Sequence, residues 1–283
     1  MAALTRRAAL AAAGLLPLAA ACADGGVSDP SNGGDPMPSD EQGVERLTYG
    51  EDSSQWVDRY APEGASRGTV VVIHGGFWQS GYGADLGVPL AVDLAARGWT
   101  ALNVEYRRVG NGGGFPTTFD DVHAAINLVE GEGPVVTLGH SAGGHLATWA
   151  AARQRFDEWA GGVEVSHVLS QAGVLDLTSA YDQNLGGGAV QSLMGVAPDD
   201  PAFDLADPMR QLPLDVPVWC LHAPDDDLVP IGQSQAYVEA ASEAGATAEL
   251  IEVTGGHFDL IDTATDTWQS IVELLDTISP ARG

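Results

Sequence analysis

A serine in the middle of the sequence stands in a setting that suits nucleophilic catalysis. Ser141 is the centre of a G-x-S-x-G motif that spans residues 139–143. An apolar run at 134–138 predicts a β-strand before the motif, and a helical pattern runs from about Ala142 to Gln154 after it. Small residues on both sides of the serine allow a tight turn that leaves its hydroxyl exposed above the sheet. The sequence therefore predicts a serine nucleophile that attacks a carbonyl carbon.

The predicted nucleophile needs a general base and an acid that orients the base, because a serine hydroxyl alone is weakly nucleophilic at neutral pH. In this type of turn the acid and then the base follow the serine along the chain. His257 follows a strand pattern at 248–253, so it is the candidate base. Three successive aspartates at 225–227 follow a strand pattern at 218–222 and are candidates for the acid. Asp176, after the strand pattern at 165–171, is a further candidate.

Two segments offer backbone N–H groups to a developing oxyanion. The helix after Ser141 would contribute its positive end and the amide of Ala142. The second segment, His-Gly-Gly-Phe-Trp at 74–78, directly follows a buried strand pattern. Its glycines let the backbone approach a carbonyl oxygen closely. We therefore expect an oxyanion hole between these two segments.

The elements that position these residues are predicted from hydrophobic periodicity, which alternates between strand and helix from about Val44 onward. Strand patterns lie at 55–61, 69–74, 100–106, 134–138, 165–171, 218–222 and 248–253, and the first is predicted to be an edge strand. Helical patterns lie at 85–96, 118–130, 142–154, 234–244 and 265–278. This order predicts an α/β fold with a mostly parallel sheet flanked by helices. The segment 178–215 breaks the rhythm with three successive glycines and scattered prolines, which predicts a small cap.

The motifs and their order resemble the α/β-hydrolase superfamily. The superfamily's segment H-G-x-x-D-x-x-V-P aligns with residues 222–230, where Ala223 replaces the glycine. The resemblance implies that Asp226 is the acid of a triad with Ser141 and His257. It also implies an α/β-hydrolase fold that catalyses acyl transfer.

Within that superfamily, the H-G-G-x-W pattern at 74–78 resembles the kynurenine formamidases and the feruloyl-esterase-like hydrolases that are similar to them. The sequence around the serine, G-H-S-A-G-G-H-L-A, resembles the same branch. The resemblance implies that the amides of Gly76 and Phe77 join that of Ala142 in the oxyanion hole. We expect Phe77 and Trp78 to shape the substrate pocket.

The first 22 residues have the order of an export signal: the pair Arg6-Arg7, an apolar run, and Cys22. The residues before the cysteine resemble the lipobox of bacterial lipoproteins, with Leu18 one place earlier than usual. This resemblance implies lipidation of Cys22. The arginine pair also resembles a twin-arginine signal, so either export route stays open. We expect an exported protein, held at the cell surface or facing the periplasm as a lipoprotein, or otherwise secreted.

The rest of the chain divides into a linker and one catalytic domain. Residues 23–43 are rich in Gly, Ser, Asp and Pro and contain few large apolar side chains. Such a segment cannot bury enough apolar surface to offset the entropy of ordering, so it predicts a flexible linker. The catalytic domain is predicted at 44–283, with the cap at about 178–215.

Charge and motif content limit the expected partners. The formal net charge of −27 at pH 7 repels nucleic acid phosphates and anionic membrane surfaces. We expect no nucleic acid partner, and membrane contact only through a lipid at Cys22. Histidines and carboxylates do not fall at zinc-site spacing, and the glycine-rich run at 110–114 lacks the Lys-Ser/Thr of a phosphate loop. We therefore expect neither a metal nor a cofactor.

Three functions are compatible with this sequence. The first is hydrolysis of carboxylic esters, since an exported enzyme meets extracellular esters more readily than a cytosolic tryptophan catabolite. The alternative is hydrolysis of an arylformamide of the N-formylkynurenine type, which the family resemblance implies. A third hypothesis is a catalytically inactive hydrolase fold that serves as a surface binding protein. The presence of the serine, the acid, the histidine and the oxyanion segment argues against the third.

Overall fold

Eight strands form one sheet in residues 43–279, the part of the chain that the computed structural model describes. The strands are β1 (Val44–Thr48), β2 (Trp56–Tyr60), β3 (Thr69–Ile73), β4 (Thr100–Glu105), β5 (Val135–His140), β6 (His167–Gln171), β7 (Val218–His222) and β8 (Ala248–Glu252). Their order in the sheet is β1-β2-β4-β3-β5-β6-β7-β8. β2 runs antiparallel to β1 and β4, and the other neighbours are parallel.

The α-helices of this region connect the strands and cover the sheet. They are α1 (Val88–Ala96), α2 (Thr117–Ile126), α3 (Ala142–Ala152), α4 (Leu177–Asp182), α5 (Ala189–Met194), α6 (Ala202–Ala206), α7 (Gly232–Glu243) and α8 (Asp266–Ile278). No helix within residues 43–279 has the length and apolar character of a membrane span.

Two hydrophobic clusters lie on opposite faces of the sheet. Side chains alternate between the faces of a strand, so Val71 and Ile73 of β3 belong to one cluster and Val70 and Val72 to the other. The first cluster also contains residues of α2, α3 and the segment between β6 and β7, and the second contains residues of α1 and α8. β3 is therefore a continuous apolar run in the sequence, because both of its faces are covered. The predicted α/β architecture is confirmed.

The prediction that residues 55–61 form an edge strand is wrong. β2 occupies this segment and pairs on both sides, with β1 and with β4. Within the described residues, the edge strand at this end of the sheet is β1. Hydrophobic periodicity missed β1 because its sequence, Val-Glu-Arg-Leu-Thr, is largely exposed and carries few apolar residues. The error moves the edge of the sheet by one strand and leaves the central strands unchanged.

The segment predicted as a cap holds short helices. α4, α5 and α6 lie between β6 and β7, together with a 3₁₀ turn at Leu185–Gly187. The predicted export signal, Cys22 and the predicted linker, apart from Gly43, lie outside the described residues.

Candidate active site

Ser141 occupies a strained turn between β5 and α3. Its backbone has φ 56° and ψ −120°, in a region that residues with a side chain rarely adopt. Its amide donates to the carbonyl of Gln171 at 2.8 Å, and its carbonyl accepts from the amide of Gly144 at 2.9 Å. Such conformations cost about 1–3 kcal/mol and persist only where the surrounding structure fixes them. The turn that the G-x-S-x-G motif predicts is thus present, with the serine at its apex.

Two glycines of the motif allow this turn because their neighbours lie where a side chain would be. A Cβ on Gly139 would lie less than 3.0 Å from the carbonyl oxygen of Gly143. A Cβ on Gly143 would lie as close to the carbonyl oxygen of Ile73 in β3. Helix α3 therefore begins in direct contact with the backbone of two strands.

His257 and Asp226 form a hydrogen-bonded pair. His257 follows β8 at the start of the 3₁₀ turn His257–Ile261, and Asp226 lies in the loop after β7. The imidazole Nδ1 donates to Asp226 Oδ2 at 2.6 Å. The other carboxylate oxygen accepts from the amides of Leu228 and Val229, both at 2.9 Å. The carboxylate is held on both oxygens, and Nε2 of His257 is the ring nitrogen that Asp226 does not engage.

Several groups keep Asp226 ionised. Burial on its own raises the pKa of a carboxyl group, and the Asp226 side chain is fully buried. The neighbouring His222 side chain, together with hydrogen bonds from His257 and from the Val229 and Leu228 amides, more than offsets burial and holds the pKa well below its usual range. Asp226 is therefore a carboxylate at neutral pH.

His222 and Ser234 hold the loop that carries Asp226. His222 Nε2 donates to the carbonyl of Val229 at 2.8 Å and lies 3.5 Å from Asp226 Oδ2. Its Nδ1 lies 2.8 Å from Ser234 Oγ. The histidine of the H-x-x-x-D segment thus fixes the loop that carries the acid. Sequence reasoning used this histidine only to align the motif.

The competing carboxylates lie elsewhere. Asp225 and Asp227 are exposed. Asp176 caps α4 by accepting from the amide of Ser179 at 2.8 Å. Of the carboxylates considered, the structure brings only Asp226 to His257.

His140 contacts His257 through a hydrogen bond and through its ring. Its Nε2 donates to the carbonyl of His257 at 2.9 Å, and the two rings lie 4.4 Å apart. Burial and the neighbouring His257 lower the pKa of His140 to about 3, so His140 is neutral at physiological pH. This residue was not predicted to belong to the site. Its position directly before Ser141 was the available signal.

The segment after β3 forms a loop with three successive left-handed residues: Gly76 at φ 108°, Phe77 at φ 54° and Trp78 at φ 55°. The amide of Gln79 closes a turn onto the carbonyl of Gly76 at 2.9 Å. The amide of Val109 donates to the carbonyl of Trp78 at 2.8 Å. The loop is therefore tied to a neighbouring segment as well as to itself.

A buried ion pair between Arg108 and Glu105 lies next to the start of this loop. His74 Nδ1 donates to the carbonyl of Gly75 at 2.8 Å, and its Nε2 lies 3.5 Å from Glu105 Oε1. Arg108 Nη2 lies 2.8 Å from the same carboxylate oxygen. Burial tends to raise the pKa of Glu105, but His74, the Ala84 amide and Arg108 outweigh it and lower this pKa. A carboxylate fixed in this way orders the start of the loop.

A cavity of about 180 Å³ brings Ser141, His257 and the loop after β3 together. It is lined by Gly76, Phe77, Tyr82, Leu86, His140, Ser141, Leu228, His257 and Phe258. Ala142 is buried at the first position of α3, directly after the serine. Sequence reasoning missed Tyr82, Leu86, Leu228 and Phe258. Phe258 directly follows the candidate base in the sequence, which was a usable signal. No sequence pattern pointed to Tyr82, Leu86 or Leu228.

The expectation that Trp78 shapes the substrate pocket is corrected by the structure. Trp78 is only 1% exposed and is absent from the residues that line the cavity. Its indole Nε1 donates to Nδ1 of His145 on α3 at 3.2 Å. His145 in turn donates from Nε2 to the carbonyl of Ala206 at 2.9 Å. The tryptophan is an anchor of the loop in the core.

The low pKa of Asp226 predicts a loss of stability in acid. A carboxyl group whose pKa is lower in the folded chain stabilises the fold above its unfolded pKa, about 3.9, and this stabilisation is lost as pH falls toward the folded pKa. We expect the free energy of unfolding to fall less steeply below about pH 5 in Asp226→Asn than in the wild type. Urea unfolding at several pH values measures this.

Asp225→Asn is the matched control, because Asp225 is the exposed neighbour in the same loop. Its pH profile should follow that of the wild type. A profile of Asp226→Asn parallel to both would contradict the low pKa of Asp226.

Comparison with known proteins places the chain in a family. The model of the BD-FAE family matches residues 57–240. Esterase LipC of Mycobacterium tuberculosis is 26% identical over 77% of this chain and 60% of its own length. The isoprenylcysteine alpha-carbonyl methylesterase ICME of Arabidopsis thaliana is 26% identical over 76% of this chain and 56% of its own length. The chain thus spans less than two thirds of the length of these relatives.

A solved structure shares the fold. Esterase 2 of Thermogutta terrifontis, phosphonylated by sarin, superposes with a TM-score of 0.69 at 22% identity. The superposition covers 86% of this chain and 96% of the esterase. The family match and the shared fold lead to one conclusion: the chain belongs to the BD-FAE family, within the α/β-hydrolase superfamily.

Proposed function

We propose that this protein hydrolyses carboxylic esters through an acyl-enzyme on Ser141. One observation carries the proposal: Ser141 and His257 line the same cavity, and His257 is tied through Nδ1 to the buried carboxylate of Asp226. The esterase relatives support this reaction. The reaction of the Thermogutta esterase with sarin supports a nucleophile of the same kind, because organophosphorus reagents capture activated nucleophiles.

The geometry supports a two-step mechanism. His257 Nε2 accepts the proton of Ser141 Oγ as the oxygen attacks the ester carbonyl, and Asp226 stabilises the imidazolium that forms. The amides of Gly76, Phe77 and Ala142 stabilise the oxyanion. The imidazolium then protonates the departing alcohol. Water, activated by the same imidazole, releases the acyl group and restores the serine.

The lining of the cavity favours uncharged substrates. Apart from its two histidines, it consists of the serine, one glycine, two leucines and three aromatic residues, so the described lining contains no carboxylate, arginine or lysine. The amino acid end of N-formylkynurenine carries both a positive and a negative charge, and this lining offers neither charge a partner. A neutral ester with a small acyl group fits this volume and chemistry better.

Substitution of the nucleophile tests the reaction directly. We expect the purified protein to hydrolyse p-nitrophenyl acetate and butyrate, and Ser141→Ala to lower kcat by about 10⁴-fold or more. Turnover of N-formylkynurenine should be much slower than that of either ester. The measurement is the steady-state rate with each substrate. Ester hydrolysis that survives Ser141→Ala would refute the nucleophile, and faster turnover of the formamide would refute the substrate class.

The three successive aspartates provide an internal test of the acid. Asp226→Asn should lower kcat by about 10³–10⁴-fold, because the imidazole loses its orienting carboxylate. Asp225→Asn and Asp227→Asn change exposed carboxylates in the same loop and should leave kcat within about twofold of the wild type. Comparison of the three variants with p-nitrophenyl acetate measures this. A loss confined to Asp225→Asn or Asp227→Asn would shift the acid to that residue.

We further propose that the protein is exported and lipidated at Cys22. The charged, apolar and small-residue order of the first 22 residues supports export, and the lipobox resemblance supports the lipid. In a bacterial host, Cys22→Ser should release the mature protein from the membrane fraction and remove the mass of the lipid. Fractionation and intact mass spectrometry measure both. Unchanged membrane retention and mass would exclude lipidation.

A further inference from the structure

The conformation of Phe77 needs support from outside its own loop. Phe77 has a side chain and a φ of 54°, a combination that costs about 1 kcal/mol or more. Its neighbour Trp78, with φ 55°, is anchored by His145 and by the amide of Val109. Phe77 is only partly buried and also lines the cavity. A contact from outside the loop is therefore needed to hold Phe77, whose amide stabilises the oxyanion in the proposed mechanism.

The cap segment supplies a contact to the Phe77 ring. A Cβ on Gly186 would lie less than 3.0 Å from Cδ1 and Cε1 of Phe77, so the backbone at Gly186 rests directly on the ring. Gly186 and the adjacent Gly187 have φ of 60° and 67°, both in the left-handed region. A Cβ on Gly187 would meet nothing within 4 Å. The two glycines thus share a left-handed φ, but only a Cβ on Gly186 would meet the Phe77 ring, and it would also lie 3.2 Å from Cβ of Ala189.

The cap segment is itself fixed on both sides. Before the glycines, the carbonyl of Tyr181 in α4 accepts from the side chain of Gln191 in α5 at 2.7 Å. After them, the carbonyl of Leu193 in α5 accepts from the amide of Phe115 at 2.8 Å. Val190 and Leu193 are buried in the core. The backbone at Gly186 is therefore held in place by the rest of the cap segment, so it can restrain the Phe77 ring.

We propose that Gly186 is a positioning residue for the oxyanion hole: its backbone, held by the cap, presses on the Phe77 ring and keeps the Phe77 amide directed at the reacting carbonyl. The cap segment would then contribute to transition-state stabilisation through Phe77, although none of its own residues lines the cavity. The proposal rests on the proposed esterase function, since it assigns a role within that reaction. It also gives a reason for glycine at position 186, the one of the three successive glycines whose Cβ would lie less than 3.0 Å from another atom.

Gly186→Ala and Gly187→Ala form a matched pair. Both place a methyl group on a left-handed residue, which should lower Tm, and Gly186→Ala should lower it further because its methyl group also meets the Phe77 ring. Only Gly186→Ala pushes on the Phe77 ring. We expect Gly186→Ala to lower kcat for p-nitrophenyl acetate by about tenfold or more, within the range of about 10²–10³ for loss of a whole oxyanion donor. KM should stay within about threefold, and Gly187→Ala should keep kcat within about threefold of the wild type.

Phe77→Ala distinguishes contact with the ring from a general disturbance of the fold. It removes both ring carbons that the methyl group would meet, so in a Phe77→Ala background Gly186→Ala should lower kcat by no more than about threefold relative to Phe77→Ala alone. This double variant also keeps the test open if Gly186→Ala alone does not fold. Circular dichroism and Tm report the folding of each variant.

The outcomes separate this proposal from the function on which it rests. If the wild type hydrolyses esters and the two glycine variants have equal kcat, Gly186 has no positioning role. A tenfold loss that persists in the Phe77→Ala background also overturns it. If the wild type hydrolyses no ester at all, the proposed esterase function itself is wrong. A kcat loss that Gly186→Ala causes, that Gly187→Ala does not cause, and that is absent in the Phe77→Ala background supports the proposal.

Discussion

The contact between the start of α3 and the strands below it is the constraint on which the site depends. Gly143 lies against the carbonyl of Ile73, and Gly139 lies against that of Gly143, at distances that exclude any side chain carbon. Only this approach lets β5 turn into α3 within one residue. Ser141 therefore sits at the apex with a backbone that it would not adopt alone. The contacts of the packed strands and helix offset the strain in the turn.

The remaining parts of the site reach the serine because they lie at the carboxyl ends of neighbouring parallel strands. β3 leads to the loop proposed to hold the oxyanion, β7 to the loop of Asp226, and β8 to His257. Each of these three loops is fixed by a contact of its own, from Trp78 to His145 in the first, from backbone amides in the second and from His140 in the third. The sheet sets which groups meet, and these contacts set their orientation.

The sequence predicted the seven strands from β2 to β8, the five longer helices, and three polar residues that the structure brings together, Ser141, Asp226 and His257. Motifs that depend on backbone geometry, such as G-x-S-x-G, leave a local signature because only glycine fits. Asp226 could be separated from its two neighbours by resemblance alone, since all three are aspartates and only loop geometry decides which faces His257. The strand β1 escaped prediction because an exposed edge strand needs few apolar residues.

Side-chain direction was the main thing that local sequence did not encode. Phe77 and Trp78 are adjacent, apolar and similar in backbone φ, yet one lines the cavity and the other is buried against His145. The difference comes from partners distant in the chain, a helix residue for Trp78 and a cap glycine for Phe77. Long-range packing of this kind has no periodic signal in the sequence. The lining of the cavity was consequently the least predictable part of the site.

The charges next to His257 are arranged for the step that the proposed mechanism requires. An imidazole that takes a proton becomes positive, so a second positive charge beside it would oppose the transfer. His140 lies 4.4 Å away, ring to ring, but burial keeps its pKa at about 3 and its ring neutral. Asp226, on the opposite nitrogen, stays ionised because its hydrogen bonds outweigh its burial. Burial thus removes the charge that would oppose proton transfer, and hydrogen bonding preserves the one that favours it.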